Sequence, residues 1–411
     1  MKIDTDPKKI EEFLTRGVEN IYPNVDFLRK RMLSGERLRI YHGIDPTGPT
    51  LHLGHAIQLK KLQEFQNLGH EVILLIGDFT AMIGDPTDKL ATRKPLTRKE
   101  VLSNCKLYKK QASIFLKFGL FGGVRLKYNS KWLAKLSFED LLKLSSHLTH
   151  SQIIKRSMFQ ERIKNNKDIY LNEFMYPLMQ GYDSVAMDVD GEIGGNDQTF
   201  NMLVGRDLLK KLKDKEKFVI TTKLLVDPNG KKMGKTEGNM ITLEDKAFEM
   251  FGKVMSWTDD MILPGFELCT YVSMEEIEKI KQELLSGANP RDTKVRLAKE
   301  IIAIYHSKEE ANKAEENFIK TFKEGGVPEK IDETEAVNGE ALADISVRAN
   351  LVKSKGEFRR LVLEGAVTRL LPEGGQGSQE TGEKINDPNQ KVVSTAIFKI
   401  GKRRFLKVIV K

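Results

Sequence analysis

Short apolar runs and helix-spaced apolar residues alternate over the first part of the chain. Leu38–Ile44 predicts a buried strand, and Val72–Ile76 predicts a second one. Between them, Leu59, Leu62 and Phe65 recur at the spacing of one helix face. A strand, a helix and a second strand form a βαβ unit. The pattern therefore predicts a parallel sheet with a helix N-terminus beside the ends of its strands.

Helical spacing dominates most of the following sequence. Residues 1–37 and 100–165 have helical patterns, whereas the apolar run at 218–226 predicts another strand. Residues 245–322 contain three amphipathic segments, which predict a helical domain. Residues 323–343 are acidic and carry glycines and a proline, so we interpret them as a linker.

The last segment, residues 344–411, contains both the helical and the strand pattern of apolar residues. A basic stretch at 354–362 has helical spacing, and the residues after Phe405 alternate between apolar and polar, which predicts a strand. Residues 371–384 are rich in Gly, Glu and Gln, and we expect a disordered loop there.

The composition is that of a globular chain without membrane segments. Of the 411 residues, 40% are hydrophobic and 30% are charged. No apolar run approaches the roughly 20 residues that a membrane helix needs, and the first residues lack the apolar core of a signal peptide. Cys105 and Cys269 lie far apart, which argues against a disulfide framework. We therefore expect a cytoplasmic protein.

The positive charge is concentrated near the C-terminus. The formal net charge is +9, and residues 344–411 hold 14 Lys and Arg against 7 Asp and Glu. A local basic excess favours a partner with a phosphate backbone. A solvated basic surface without a partner is an alternative that charge alone leaves open.

Two histidines mark the start of the first predicted helix. His52 and His55 are three residues apart, so both would face the same ligand at the helix N-terminus; a surface loop with two incidental histidines is the alternative. That terminus suits a polyphosphate, because backbone N–H groups and the helix dipole point at it. Gly54 lets a flat base approach the backbone. No cysteine or carboxylate accompanies the histidines at ligand spacing, so we predict no metal site.

A second polar set follows further along the chain. Tyr176, Gln180 and Asp183 have i, i+4, i+7 spacing and share one helix face. Asp188–Gln198 then combines acidic residues with the adjacent glycines Gly194 and Gly195, which suits a ribose or an ammonium group. A solvent-exposed polar face is the alternative reading of the helix.

Two lysines follow the predicted strand at 218–226. Lys232 and Lys235 lie on a glycine-bearing segment and could act as a flexible cationic clamp for phosphates. The spacing alone is common. It gains weight because it follows the last strand of a nucleotide-binding pattern.

Together the motifs resemble the bacterial tyrosyl-tRNA synthetases, a family of class I aminoacyl-tRNA synthetases. The resemblance covers nearly the whole chain and rests on these motifs: Tyr41-x-Gly43-x-Asp45-Pro46-Thr47, His52-Leu53-Gly54-His55, Ile83-Gly84-Asp85-Pro86, Tyr176-x-x-x-Gln180-x-x-Asp183, Gly194-Gly195-x-Asp197-Gln198 and Lys232-Met233-x-Lys235. Gly234 and Thr236 replace the serines more usual across class I enzymes.

The resemblance implies a fold and a division of the chain. We expect an α/β fold in which residues 1–244 form a Rossmann-like, doubly wound parallel sheet, with a helical insertion at about 125–165. An α-helical anticodon-side domain would occupy 245–322, and a linker would occupy 323–343. Residues 344–411 would form a small α+β RNA-binding domain of the ribosomal-protein type.

The resemblance also implies an activity: ATP-dependent activation of L-tyrosine, then transfer to the terminal adenosine ribose of tRNA(Tyr). Magnesium would accompany ATP, and the protein would be a homodimer. The implied catalytic residues are Thr47, His52, His55, Lys232 and Lys235. Tyrosine would contact Tyr41, Gly43, Asp45, Asp85, Tyr176, Gln180, Asp183 and Gln198. ATP would contact His52, Gly54, His55, Gly195, Asp197, Lys232, Met233 and Lys235, and tRNA would contact Lys355, Arg359, Arg360, Lys402 and Arg403.

Three other functions compete with this one. A tryptophanyl-tRNA synthetase shares the fold and chemistry, but the Tyr/Gln/Asp helix face and the C-terminal domain disfavour it. A nucleotidyltransferase that makes a dinucleotide cofactor would explain the paired histidines but not the long remainder after Asn239. A catalytically inactive RNA-binding homologue would have no need of His52, His55, Lys232 and Lys235 together.

Overall fold

The structure is a computed structural model, and it describes residues 2–85, 96–119, 122–226, 240–323, 331–370, 382–401 and 404–411. The chain divides into two compact units, Met1–His306 and Ser307–Lys411. The catalytic, helical and RNA-binding domains inferred from the sequence stay predictions.

Strands and helices alternate in the first unit. Its strands, within the described residues, are β1 (Val18–Tyr22), β2 (Arg39–Ile44), β3 (Glu71–Ile76), β4 (Arg125–Tyr128), β5 (Gly191–Gly195) and β6 (Phe218–Thr222). Its helices there are α1 (Pro7–Thr15), α2 (Val25–Leu33), α3 (Leu53–Asn67), α4 (Arg98–Asn104), α5 (Tyr108–Ala112), α6 (Ser130–Leu133), α7 (Phe138–Ser145), α8 (His150–Ile154), α9 (Ser157–Lys164), α10 (Leu171–Met187), α11 (Thr199–Lys213), α12 (Ala247–Met255), α13 (Ile262–Cys269), α14 (Met274–Leu285) and α15 (Pro290–Tyr305).

The strands form one sheet in the order β1-β6-β5-β2-β3-β4. β1 is antiparallel to β6, and the other neighbours are parallel. The chain builds outward from β2 through β3 to β4 and then resumes on the opposite side with β5 and β6. The predicted doubly wound parallel sheet is therefore confirmed. The direction of winding reverses between β2 and β5, and open α/β sheets have their binding crevice at such a point, beyond the carboxyl ends of the strands.

Both edge strands of this sheet were missed by the sequence interpretation. Residues 1–37 are not helical throughout, because Val18–Tyr22 forms β1. Likewise, Arg125–Tyr128 is β4, and the helices of the predicted insertion begin only at Ser130. Edge strands pair on one side only and tolerate charged residues, so they lack the apolar run that marks a buried strand. The predicted strand at 218–226 is also shorter, since β6 ends at Thr222.

The second unit combines a mixed sheet with helices. Its elements, within the described residues, are α16 (Lys308–Lys323), β7 (Asp332–Ala336), β8 (Glu340–Ala341), α17 (Leu342–Arg348), α18 (Lys355–Leu363), β9 (Val367–Leu370), β10 (Gly382–Lys384), β11 (Lys391–Val392), β12 (Ala396–Ile400) and β13 (Arg404–Val410). The main sheet has the order β10-β9-β12-β13-β7, and Ile345, Phe358 and Leu406 lie in the buried core of this unit.

Two sequence interpretations in this unit need correction. Residues 332–336 do not belong to a linker, because they form β7 and pair in parallel with β13. Their side chains are mostly polar, so local pattern alone did not reveal a strand. Residues 382–384 form β10 instead of continuing the predicted loop, whose residues 371–381 lie outside the described part. Within the described ranges of the whole chain, no helix is long and apolar enough to cross a lipid bilayer.

Candidate active site

The two histidines cap the first turn of α3. The backbone N–H of Gly54 donates to His52 Nδ1 over 3.1 Å, and the backbone N–H of His52 donates to His55 Nδ1 over 3.2 Å. The ring centroids are 3.9 Å apart. Because each Nδ1 accepts a hydrogen bond, the neutral form of each imidazole carries its proton on Nε2. The helix N-terminus thus presents two imidazole N–H groups together with its dipole.

Gly54 has a packing role that the sequence did not predict. A Cβ at this position would lie 2.8 Å from Cε1 of His52. Any side chain would displace the imidazole that caps the helix. Gly54 is therefore needed to leave room for the His52 ring. This holds whether or not a base also approaches the backbone there.

Helices α4 and α5 hold the loop between β2 and α3 in place. Asn104 Nδ2 donates to the carbonyl of Pro46 over 2.9 Å, and the Tyr108 hydroxyl donates to the carbonyl of Gly48 over 2.6 Å. Gln111 Oε1 accepts from the backbone N–H of Leu51 over 2.7 Å. Sequence reasoning missed these residues. The sequence feature that could have indicated them is polar side chains on a helix face that packs against the loop.

Lys232, Met233 and Lys235 lie outside the described residues, but the segment that follows them is placed. The backbone N–H of Leu53 donates to the carbonyl of Ile241 over 3.0 Å, and the N–H of Leu243 donates to the carbonyl of Leu51 over 2.9 Å. The chain that leaves the lysine motif therefore pairs with the residues that begin α3.

Helix α10 joins the end of β2 through Asp45. The Tyr176 hydroxyl donates to Asp45 Oδ2 over 2.8 Å, and Thr80 Oγ1 donates to Asp45 Oδ1 over 2.7 Å. Burial raises the pKa of Asp45 to about 7, although both hydrogen bonds act in the opposite direction. An added cation would favour the ionised carboxylate, so this corner of the site is suited to an ammonium group.

Asp183 lies deeper in the same helix face. It is 2% exposed and accepts hydrogen bonds from Trp132 Nε1 over 2.7 Å and from Asn129 Nδ2 over 3.3 Å. Burial raises the pKa of the Asp183 carboxyl well above its usual range, and the two donors oppose that rise. Sequence reasoning assigned no role to Trp132 or Asn129. Both lie far from α10 along the chain.

A buried polar network lies behind Tyr41, which is fully buried. Its hydroxyl is 3.0 Å from Ser184 Oγ, and Lys217 Nζ donates to that Oγ over 2.8 Å. Lys217 also forms an ion pair with Glu192, which accepts from Gln180 Nε2 over 3.1 Å. Neither Lys217 nor Glu192 was singled out from the sequence.

Small residues open the crevice between β2 and β5. Gly43 is exposed between buried neighbours on β2, and a Cβ there would meet only Leu75 Cδ2, at 3.8 Å. At the end of β5, a Cβ on Gly195 would lie 2.5 Å from Asp197 Oδ1. Asp197 belongs to the short 3₁₀ turn that links β5 to α11.

The remaining predicted residues of the first unit lie on the loops after β2 and β3 and on the 3₁₀ turn after β5. Gln198 Nε2 donates to Asp85 Oδ2, which joins the end of the 3₁₀ turn to the loop after β3. Thr47 is exposed, and its backbone N–H donates to the carbonyl of Asp45 over 2.8 Å. His42, which the sequence analysis did not select, places Nδ1 2.8 Å from the carbonyl of Ile193.

The predicted RNA-contacting residues belong to the second unit. Lys355, Arg359 and Arg360 are exposed on α18, whose N-cap is Ser354. Lys402 and Arg403 lie outside the described residues. Among the residues that the structure describes, no group of three or more His, Cys, Asp or Glu side chains could hold a metal ion.

Comparison with known proteins identifies the family. Residues 33–323 match the family "tRNA synthetases class I (W and Y)". The "Tyrosine--tRNA ligase" of Haemophilus ducreyi is 44% identical over 401 residues, which is 97% of each chain. The "Tyrosine--tRNA ligase 2" of Vibrio cholerae is 42% identical over 400 residues, covering 97% of this chain and 98% of that protein.

A solved structure supports the fold assignment. The tyrosyl-tRNA synthetase of Archaeoglobus fulgidus, solved with L-tyrosine, has a TM-score of 0.59 at 23% identity. It covers 75% of this chain and 99% of its own. The tryptophanyl alternative is not favoured by the near-full-length relatives. The chain therefore belongs to the tyrosine–tRNA ligase family within the class I tRNA synthetases.

Proposed function

We propose that this protein activates L-tyrosine with ATP to form tyrosyl-adenylate, and then transfers the tyrosyl group to the terminal adenosine ribose of tRNA(Tyr). The observation that carries the proposal is the contact between Tyr176 and Asp45. It joins the polar face of α10 to the end of β2, where the chain continues to the paired histidines. An amino-acid pocket and a polyphosphate site thereby share one crevice.

Activation needs positioning and charge neutralisation, with no general base. The α-carboxylate of tyrosine is ionised at neutral pH, because its pKa is about 3.5. One of its oxygens attacks the α-phosphorus of ATP, and the bond from that phosphorus to pyrophosphate breaks. His52, His55 and Thr47 would bind the phosphates at the start of α3, with Lys232 and Lys235 as cationic partners.

Tyrosine would lie along α10. Its phenolic hydroxyl would meet Tyr41 and Asp183, and its ammonium group would meet Tyr176, Gln180 and the raised-pKa carboxyl of Asp45. The other residues proposed to border the amino acid are Gly43, Asp85 and Gln198.

ATP would extend from the histidines toward the end of β5. Gly54, Gly195 and Asp197 would border its base and ribose, together with Met233. Magnesium supplies charge neutralisation for a bound triphosphate. Since the described residues hold no group of metal-ligating side chains, we propose that phosphate oxygens and water provide most of its ligands.

The second unit would bind tRNA through its basic helix. Lys355, Arg359 and Arg360 are exposed on α18, and a cavity of about 380 Å³ beside them is lined by Lys353, Ser354, Gly356, Glu357 and Arg360. Lys402 and Arg403 would extend this surface. Replacing Arg359 and Arg360 by glutamine should weaken tRNA binding and reduce its salt dependence, while tyrosine activation remains unchanged.

We propose a homodimer in the cytoplasm. Phe138 on α7 is 75% exposed, and Leu171 at the start of α10 is 79% exposed, with Leu142 and Tyr170 also exposed. Large apolar side chains grouped on these helices favour a protein partner. Leu171→Glu should lower the mass measured by light scattering from a dimer to a monomer. Both cysteines are unpaired, as is usual in a reducing compartment.

Exchange of labelled pyrophosphate into ATP tests the activity directly. We expect exchange that depends on tyrosine and is abolished in a Lys232→Ala/Lys235→Ala variant. Exchange driven by tryptophan would move the assignment to the tryptophanyl enzymes. Binding of tRNA without any amino-acid-dependent exchange would favour the inactive homologue.

A further inference from the structure

Lys217, at the last position before β6, is a buried cation to which the proposed chemistry gives no role. Its side chain is fully buried, and it forms an ion pair with Glu192 on β5. Burying a charged pair costs a large desolvation energy, which the mutual attraction only partly repays. Such a pair adds little to stability, so its position behind the amino-acid pocket needs another explanation.

Lys217 contacts the hydroxyl that lies beside Tyr41, at the phenol end of the proposed pocket. An ammonium group only donates hydrogen bonds, so Ser184 Oγ must accept from Lys217. Ser184 keeps one proton, and the Tyr41 oxygen, 3.0 Å away, is within reach to accept it. In the arrangement in which Ser184 donates to Tyr41, the Tyr41 proton is left for another acceptor, either Glu192 or a ligand. A substrate phenol can therefore accept from Tyr41 while it donates to Asp183.

Lys217 acts on the ammonium end as well. Glu192 accepts from Lys217 with one oxygen and from Gln180 Nε2 with the other, over 3.1 Å. With its amide nitrogen held by Glu192, Gln180 has its carbonyl oxygen to offer to an ammonium group. One buried lysine thus connects the partners proposed for both ends of tyrosine.

A glycine on the neighbouring helix α11 leaves room for the Lys217 side chain. A Cβ on Gly205 of α11 would lie 2.7 Å from Lys217 Nζ and 2.9 Å from Ser184 Oγ. A side chain there would separate the ammonium group from the hydroxyl. The glycine keeps the two groups in contact at the crossing of α10 and α11.

We propose that Lys217 is a positioning residue for amino-acid selection, which orients Tyr41 through Ser184 so that the pocket prefers tyrosine to phenylalanine. The inference rests on the proposed function, since it concerns the same pocket. It predicts that loss of Lys217 weakens the use of tyrosine and leaves the use of phenylalanine almost unchanged, because phenylalanine has no hydroxyl to accept from Tyr41.

The test is the ratio of kcat/KM for tyrosine to that for phenylalanine, measured by pyrophosphate exchange. The main variant is Lys217→Met/Glu192→Gln, which removes both buried charges and keeps an acceptor for Gln180. We expect the ratio to fall about tenfold, as for loss of one buried hydrogen bond, with KM for ATP within about twofold of the parent. Ser184→Ala removes the hydroxyl between Lys217 and Tyr41 and leaves the ion pair with Glu192 in place, and it should lower the ratio similarly.

The control is an ion pair on α3 between the buried Lys61 and the partly exposed Glu64. Lys61 donates to the carbonyl of Phe13 and to Glu64, each over 2.7 Å. Lys61→Met/Glu64→Gln should lower the melting temperature and leave the ratio unchanged. A ratio that stays at the parent value in both Lys217→Met/Glu192→Gln and Ser184→Ala would overturn the inference, as would an equal fall in the control. Absence of tyrosine-dependent exchange in the unmodified protein would instead overturn the proposed function.

Discussion

The indole Nε1 of Trp132 donates a hydrogen bond to Oδ1 of Asp183 over 2.7 Å. Trp132 lies on the short helix α6, and its ring packs against the buried cluster that contains Tyr41. The bond therefore fixes the carboxylate beside the hydroxyl that is proposed to recognise tyrosine. Trp132, which belongs to none of the motifs, thus positions Asp183, which belongs to one of them.

Replacing Trp132 with phenylalanine should remove this donor and keep most of the packing. Asp183 would retain Asn129 as a partner but lose its shorter hydrogen bond. We expect KM for tyrosine to rise about fivefold to tenfold, because a hydrogen bond to a charged group contributes about 1.5–3 kcal/mol and part of it is recovered from water. Pyrophosphate exchange at varied tyrosine measures the effect.

The other tryptophan provides the control for that experiment. Trp257 is also buried but lies in the region of α12 and α13, away from the pocket residues. Trp257→Phe should change the melting temperature with no change in KM for tyrosine. Equal KM values for Trp132→Phe and the unmodified protein would show that Asp183 does not depend on the indole.

Local periodicity was enough to predict the elements that carry the motifs. The spacing of Tyr176, Gln180 and Asp183 predicted one helix face, and α10 contains all three. The central strands β2 and β3 were predicted because buried parallel strands are continuously apolar. The same signal is absent at Val18–Tyr22 and Arg125–Tyr128, where half-exposed strands close the two edges of the sheet.

The partners of the site residues could not be predicted in this way. Lys217 meets Ser184 across 33 positions of sequence, and Trp132 meets Asp183 across 51. Neither pair has a spacing that marks it before the chain folds. A lysine before a strand is ordinarily a solvated residue, and only the packing of α11 over β6 makes Lys217 a buried one.

Gly43 gives a prediction that separates binding from folding. A Cβ there meets only one atom, at 3.8 Å, so Gly43→Ala should fold normally and keep its melting temperature within about 2 °C. The added methyl group would enter the crevice between β2 and β5. We expect KM for tyrosine or ATP to rise at least about fivefold, as measured by pyrophosphate exchange.

A glycine on the neighbouring strand β5 should respond in the opposite way, by losing stability. A Cβ on Gly191 of β5 would lie 2.1 Å from the ring of Phe218. Gly191→Ala should therefore lower the free energy of unfolding by about 1–3 kcal/mol through overpacking. If Gly43→Ala lost as much stability as Gly191→Ala, the open space beside Gly43 would not be part of a binding crevice.

His52 has two roles that one substitution can separate. Asparagine is a strong N-cap residue, so His52→Asn should preserve the start of α3 and the stability of the protein. It lacks the Nε2–H donor proposed for the phosphates. We expect kcat for adenylate formation to fall about 100-fold or more, as when one transition-state donor is removed. His52→Ala should show the same loss together with about 1 kcal/mol of destabilisation.

Asp45 predicts how tyrosine binding depends on pH. Burial raises the pKa of this carboxyl to about 7, with the nearby carboxyls of Asp85 and Asp78 adding to the rise. An ammonium group binds the ionised form, so binding below the pKa must first release a proton. The affinity for tyrosine should therefore increase as pH rises from about 5.5 to 7, by at most tenfold per pH unit, and level off above about 7.5.

The raised pKa of Asp45 also determines whether the stability of the ligand-free protein rises or falls with pH. The folded protein holds a proton on Asp45 that the unfolded chain has already lost, since the unfolded pKa is about 3.9. This contribution to stability is complete below about pH 4 and is lost as pH rises through 7. In Asp45→Asn this contribution to both pH profiles should be absent, and tyrosine binding should be weaker near neutral pH. Calorimetric titration with tyrosine at several pH values, paired with thermal melts, measures both. A Kd for tyrosine with the same pH dependence in Asp45→Asn as in the unmodified protein would assign the titration to another group.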